Sequence, residues 1–195
     1  MSDDTTLNVY NARAADYAAL AGTEPYPNLC AFIAALPERA HVLDLGCGPG
    51  LDAAHMAAAG FSVEAMDASA EMVKLAETRP GVTARQGQFA DLTAENAYDG
   101  IWASFSLLHA PRADMQDHLA AIARALRPGG LFGLTLKEGT GEKRDRLGRF
   151  YTFYTEPELR GLLAAAGLEI ATVARGDSTG LDGTTSPWIS LTAHA

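Results

Sequence analysis

The sequence predicts an α/β fold: a seven-stranded, mostly parallel sheet with helices on both faces and an antiparallel last strand. Three features of the chain predict it. Short apolar runs alternate with longer stretches whose apolar residues recur at helical spacing. Glycine and proline punctuate the joints between them. The last two apolar runs are joined by a polar, glycine-bearing stretch and not by a helix, which turns the final strand antiparallel and inserts it beside the sixth.

In chain order, Val9 to Leu20 reads as a helix, and a second helix follows Pro25 and Pro27 with Leu29, Phe32, Ile33 and Leu36 on one face. The first strand is His41 to Leu45. A helix from Gly50 to Ala59 ends at Gly60, and the second strand runs from Phe61 to Met66. Ser69 caps the next helix, which packs through Met72, Val73 and Leu75 and stops by Pro80. Strands at Val82 to Gln88 and Tyr98 to Ser104 follow. Pro111 opens a helix in which Met115, Leu119, Ile122 and Leu126 recur at helical spacing. Pro128, Gly129 and Gly130 stop that helix, and Leu131 to Leu136 is the fifth strand. The stretch KEGTGEKRDRLGR, Lys137 to Arg149, is charged, has no apolar period and reads as a loop or flap. In TEPE, Thr155 and Glu158 form the capping box of a helix that ends at Gly167. Leu168 to Ala174 is the sixth strand, Arg175 to Ser186 a hairpin loop, and Trp188 to Ala193 the last strand.

Length and composition bound the function. With 195 residues, 48% of them hydrophobic, the chain can bury one full core. It is expected to be a single domain, 1–195, with a helical lid at 1–38 and a core at 39–195 that carries the flap at 137–150. The net charge of −9 argues against a nucleic-acid partner, which needs a basic footprint. The two cysteines, Cys30 and Cys47, stand at no metal-ligand spacing, and no metal constellation appears. The opening MSDDTTLNVY is acidic and lacks the apolar core of a signal peptide. No apolar run approaches the ~20 residues of a membrane span. A soluble cytoplasmic protein, monomer or homodimer, is expected.

The stretch HVLDLGCGPGLDAAHMAAAGFSVEAMDAS, His41 to Ser69, carries the functional signal. Gly46, Gly48 and Gly50 fall within five positions between a strand and a helix. One glycine suffices to turn the chain; three fit a ligand lying on the backbone at the carboxyl ends of the strands. The spacing G-x-G-x-G differs from the G-x-G-x-x-G of dinucleotide folds. Asp44 ends the first strand, where a carboxylate repels a pyrophosphate and accepts from a cationic amine. Asp67 ends the second, where an acid holds both hydroxyls of a ribose. A nucleoside with a positively charged appendage and no phosphate fits, as S-adenosylmethionine does.

At this point the family is visible. VLDLGCGPG resembles the first motif of the class I S-adenosylmethionine-dependent methyltransferases, a Rossmann-like family. VEAMDAS resembles its ribose strand, YDGIWASFSLLHAPR its fourth strand and active-site turn, and LRPGGLFGLTLK its fifth-strand entry. The resemblance covers Tyr10 to Ala195. GEKRDRLGRFYTFYTEPELRGLLAAAGL is similar to a small bacterial subgroup often labelled tellurite-resistance-like methyltransferases. The resemblance implies S-adenosyl-L-methionine as cofactor, S-adenosyl-L-homocysteine as product and a small-molecule methyl acceptor. It places Asp44, Gly46, Cys47 and Gly48 at the methionine end, and Asp67 at the ribose with Ala68 beneath the adenine. Gln88 and Phe89 meet the adenine; many relatives have an aspartate at the position of Gln88. Ser104 lies near the methionine moiety, and Tyr10 and Tyr17 cover the cofactor.

In-line methyl transfer needs alignment in a dry pocket, and a base only for a protonated acceptor. His109, just past the fourth strand, is the tentative acid–base residue on the substrate side; its plain alternative is a structural histidine by the Pro111 helix. Lys137, Arg144 and Arg149 are candidates to fold over the pocket and hold an acidic substrate, or else form a solvated charged loop. His55 and His118 read as surface or packing residues. Tyr151, Phe153 and Tyr154 fit a pocket wall or the core equally. Two other classes compete: a binder of S-adenosylmethionine or S-adenosylhomocysteine without catalysis, and an NAD-dependent oxidoreductase, against which the glycine spacing and the Asp44 and Asp67 pair argue.

Overall fold

The computed structural model describes residues 3–20, 22 and 24–195. Residues 1, 2, 21 and 23 of the expected lid lie outside the described residues. The strands are β1 (His41–Leu45), β2 (Ser62–Asp67), β3 (Val82–Gln86), β4 (Tyr98–Ser104), β5 (Leu126–Lys137), β6 (Glu142–Arg144), β7 (Phe150–Thr152), β8 (Glu169–Thr179) and β9 (Thr185–His194). The helices are α1 (Asp4–Ala12), α2 (Ala14–Leu20), α3 (Pro27–Ala35), α4 (Leu51–Ala58), α5 (Ala70–Ala76), α6 (Met115–Ala125) and α7 (Glu156–Ala165). Among the described residues no helix is long and apolar enough to cross a membrane.

Seven strands form one sheet in the order β3-β2-β1-β4-β5-β9-β8. β1 pairs in parallel with β2 and with β4, and β9 runs antiparallel between β5 and β8. The predicted sheet is therefore the observed one, including its antiparallel last strand. The chain winds outward from β1 to β3, then returns to start β4 on the other side of β1. That reversal opens a crevice at the carboxyl ends of β1, β2 and β4, where open α/β sheets take their ligands.

Alternation along β1 divides the core. Leu43 and Leu45 face one side with Phe132, Leu134, α6 and α7, while Val42 faces the other with Met56, Val63 and Trp102. The helical spacing read in α6 is the burial stripe: Met115, Leu119 and Ile122 are fully covered, each worth ~1.5–3 kcal/mol. Trp102 lies against Phe32 of α3, ring centroids 4.8 Å apart. A Cβ on Gly133 of β5 would fall 2.2 Å from the Trp102 ring, so only glycine lets the indole lie flat on the sheet.

Several boundaries differ from the sequence expectation. The first helix starts earlier, because the Asp3 carboxylate accepts from the Thr6 amide at 2.8 Å and caps it, and it breaks at Arg13 into α1 and α2. Pro128, Gly129 and Gly130 do not end the paired region. They bulge out within β5, since Tyr98 faces Leu126 while Gly100 faces Leu131. Within the stretch 137–150, Glu142 to Arg144 pairs antiparallel with Phe150 to Thr152 of β7, so the expected flap is built as a short hairpin. The loop after the sixth strand is shorter than expected, because the β8–β9 pairing extends to Thr179 and Thr185.

Candidate active site

The glycine loop owes much of its composition to the protein itself. Gly46, at φ +79°, would set a Cβ 2.2 Å from the Ser106 Cβ. Gly50, at φ +75°, would set one 2.8 Å from the backbone of Ala76 in α5. Both glycines are fixed by left-handed backbone and close packing. Gly48 alone turns an open side to the crevice, with the Tyr17 ring 3.6 Å from its virtual Cβ. Gly46 and Gly48 both line the cleft, and Gly50 does not. Cys47 is buried and its thiol is pushed far up by burial, so its small size and not its sulfur chemistry suits the loop.

Three acids surround this loop, Asp44 buried and Asp52 and Asp67 half-buried. Asp44, 2% exposed, is the last polar group of β1, and its Oδ2 has no hydrogen-bond partner. Burial, and then repulsion from Asp52 and Asp67, pushes its carboxyl well above the ordinary range. Asp67 accepts from the amides of Gly48 and Ser69, both at 2.8 Å, one on each oxygen. Each of those oxygens keeps a second lone pair. Burial raises Asp67 as well. Asp52, in the first turn of α4, accepts from Trp102 Nε1 at 2.8 Å and from the Tyr26 hydroxyl at 2.5 Å. It too is raised by burial.

A cleft runs past these acids. It is lined by Tyr10, Tyr17, Asp44, Gly46, Cys47, Gly48, Asp67, Ala68, Gln88, Phe89, Ser104 and His109, every cofactor-side residue read from the sequence. The Gln88 side chain does not project freely: it accepts from the Asp91 amide, and Asp91 accepts from the Gln88 amide at 2.7 Å. Residues not expected there also line the cleft, among them Asp3, Tyr26, Asp52, Phe105, Ser106 and His118. His118 is buried, edge-on to Phe89 with centroids 5.5 Å apart, so it is a lining residue and not a surface one. Phe105 holds φ +51°, a strained value for a bulky residue and one found at functional sites. Of these, only Asp52 carried a signal in the sequence: an acid one turn beyond a glycine loop that already holds Asp44.

The roof of the cleft comes from α1 and α2. The Tyr10 and Tyr17 rings meet edge to face with centroids 5.5 Å apart. His109 Nδ1 lies 2.6 Å from the Phe150 carbonyl, which only accepts, so Nδ1 carries the proton. The neutral ring then accepts at Nε2 from the Tyr10 hydroxyl, 2.8 Å away. Burial pushes His109 down to about 4, so the ring is neutral near pH 7. Both of its nitrogens are engaged, and a ready general base needs a free one.

Lys137, Arg144 and Arg149 do not line the cleft. Arg144 is turned to the Asp3 carboxylate at 2.6 Å. Arg149, with its side chain 2% exposed, is locked to Asp145 at 2.6 Å and gives its remaining Nη1 to the Tyr10 hydroxyl at 3.1 Å. Lys137 lies over the Tyr151 ring at 4.3 Å. An exposed ion pair holds Arg144, a buried one holds Arg149, and a ring contact holds Lys137. Tyr151, Phe153 and Tyr154 belong to the core.

The cleft lining therefore holds four aspartates and, among the described residues, no lysine or arginine. An unpartnered buried Asp44 oxygen beside two more raised carboxylates wants a cation. A sulfonium and an ammonium on a nucleoside meet that demand, and the residues present fit S-adenosylmethionine. A pyrophosphate would meet the acids and find no counter-charge.

Comparison with known proteins agrees. A model of the methyltransferase domain family matches residues 42–130. The ubiquinone biosynthesis O-methyltransferase of Xanthomonas oryzae pv. oryzae is 40% identical over 105 residues, covering 50% of this chain and 43% of that protein. The malonyl-[acyl-carrier protein] O-methyltransferase of Enterobacter lignolyticus is 36% identical over 111 residues, covering 54% and 43%. The chain thus spans less than half the length of these curated relatives. The crystal structure of the Burkholderia thailandensis 1,6-didemethyltoxoflavin-N1-methyltransferase, with bound 1,6-didemethyltoxoflavin and S-adenosylhomocysteine, superposes with a TM-score of 0.80 at 26% identity. The match covers 98% of this chain and 87% of that one. Residues 42–130 thus match the methyltransferase domain family, and motif, sheet order, acid-bearing cleft and relatives together support a class I S-adenosylmethionine-dependent methyltransferase.

Proposed function

We propose that this chain transfers the methyl group of S-adenosylmethionine to a small, uncharged acceptor at oxygen or nitrogen. The observation that carries the reading is the cleft lining, which brings Asp44, Asp52 and Asp67 together with one buried Asp44 oxygen unpartnered. When bound, S-adenosylmethionine supplies a methyl group on a positive sulfonium, already activated for displacement. Asp67 takes the ribose hydroxyls and Asp44 the ammonium. Gln88 and Phe89 border the adenine, and Tyr10 and Tyr17 close the roof and keep water out. His109 holds the Tyr10 hydroxyl and so positions the roof. Arg144 and Arg149 are ion-paired, Lys137 rests on the Tyr151 ring, and none of them lines the cleft, which favours a neutral acceptor. Two relatives support the acceptor atoms by name: one is an O-methyltransferase, the other an N1-methyltransferase.

The test is calorimetric titration of the purified protein with S-adenosylmethionine, S-adenosylhomocysteine and NAD. Micromolar binding of the first two and none of NAD is expected. Binding of NAD alone refutes the reading. Acceptors are then sought by release of S-adenosylhomocysteine over a panel of neutral phenols and nitrogen heterocycles, with matched carboxylic acids as controls. Turnover confined to the acids refutes the uncharged acceptor.

A further inference from the structure

Class I methyltransferase ligands end in an amino acid, which bears one positive and one negative group. The cleft treats the two unequally. Asp44 Oδ2 is buried without a partner. Asp52 receives both the Trp102 and the Tyr26 hydrogen bonds on Oδ2, and Oδ1 takes neither. Two acceptors thus stand ready for an ammonium. For a carboxylate the glycine loop is already spent. The amides of Gly46 and Cys47 both donate to the Met66 carbonyl, at 2.7 and 3.1 Å. The Gly48 amide donates to Asp67, the Gly50 amide to the Cys47 carbonyl, and position 49 is proline. The Tyr26 hydroxyl proton goes to Asp52 and Ser104 lies 2.8 Å from the same oxygen. No lysine or arginine among the described residues lines the cleft.

We propose that the cleft recognises the amino-acid end of its cofactor through the ammonium alone, held between Asp44 and Asp52, and gives the α-carboxylate no counter-charge. Asp52 is then a specificity residue outside the glycine motif, steadied by Tyr26 from the start of α3 and Trp102 from β4. The consequence is tolerance: nucleoside thioethers and sulfoniums that keep the amine and lack the carboxylate bind as well as the full amino acid. This rests on the methyltransferase reading above, and it is tested separately from it.

Three ligands compared by calorimetry on the unaltered protein decide the matter. They are S-adenosylhomocysteine, its aminopropyl analogue (hydrogen for the carboxylate) and its carboxypropyl analogue (hydrogen for the amine). The aminopropyl analogue is expected within about three-fold of S-adenosylhomocysteine or tighter, and the carboxypropyl analogue about thirty-fold weaker or worse. A preference of about ten-fold or more for S-adenosylhomocysteine over the aminopropyl analogue overturns the proposal; it would mean that tyrosine hydroxyls or the first-turn amides of α4 hold the carboxylate. Asp52→Asn should weaken the aminopropyl analogue about ten-fold and leave 5′-methylthioadenosine, which has no amino-acid end, unchanged. Equal losses for both reduce Asp52 to a structural residue and overturn its role. If none of these nucleosides binds, the methyltransferase reading itself falls and the proposal with it.

Discussion

Replacing His109 by glutamine should flatten the acid side of the stability curve. In the unfolded chain this histidine titrates at 6.5, and in the folded protein burial pushes it down to about 4. Between those values the unfolded chain binds a proton that the folded protein refuses, so stability falls as pH drops from 6.5 toward 4. From pH 7.5 to pH 5 the unfolded ring gains nearly its whole proton and the folded ring almost none. The difference is about 2 kcal/mol, at 1.36 kcal/mol per unit of separation. Asp44, Asp52 and Asp67 work in the opposite sense, because their raised values make folding easier as pH falls. They are common to both proteins and cancel in the comparison. The assay is urea unfolding of the wild type and His109→Gln at the two pH values, without ligand. The variant is expected to be the less stable at pH 7.5, since Tyr10 and Phe150 lose a well-placed partner. Its further loss on acidification should be smaller than the wild type's by about 2 kcal/mol. Parallel losses, agreeing within about 0.5 kcal/mol, would mean that His109 is not held neutral, and the tautomer assigned from Phe150 would be wrong.

Asp67→Ala should weaken S-adenosylhomocysteine by ~2–3 kcal/mol in calorimetry, the worth of charge-assisted bonds to ribose; unchanged affinity would remove Asp67 from the ribose site. Gly46→Ala meets Ser106 at 2.2 Å with φ +79° and should cost well over ~2 kcal/mol in thermal unfolding, whereas Gly60→Ala, at φ +93° in open space, should cost ~1 kcal/mol. Similar costs at the two sites would show that backbone conformation, not packing, governs Gly46. Arg149→Met removes the counter-charge of the Asp145 carboxylate in the hairpin turn and should destabilise by ~3 kcal/mol. An unchanged denaturation midpoint would mean that water reaches Asp145.

What was legible in the sequence was chemistry confined to neighbouring residues. The β1 run with its glycines, the Ser69 cap and the Thr155–Glu158 box each state their structure within a few positions. Asp52 was only faintly legible, as an acid just past the glycine loop. Its meaning comes from Tyr26 and Trp102, which lie 26 and 50 positions away. The segment from Lys137 to Arg149 misled for a related reason. Its charge suggested solvent, yet Arg149 and Asp145 neutralise one another and are buried as a pair. Composition counts charges and cannot see them paired. His109 was visible as a residue near the crevice, but its role depends on which ring nitrogen meets a carbonyl forty-one positions on.

The insertion of β9 between β5 and β8 sets an order on the making of this protein. Chains emerge from the ribosome N-terminus first. β8 is therefore made before the strand that ties it to the sheet, since its partner along 169–179 is β9 and not β5. Until residues 185–194 are free, β5 presents an open edge and β8 waits unpaired. The nascent chain is then a five-stranded sheet carrying the full glycine loop, Asp44, Asp67 and β4, with an exposed edge of the kind that invites aggregation. Emergence of residues 185–194 adds two strands at once. Folding on the ribosome should accordingly show a cooperative step when β9 emerges, and a chaperone that covers sheet edges would act on this protein in the interval before it.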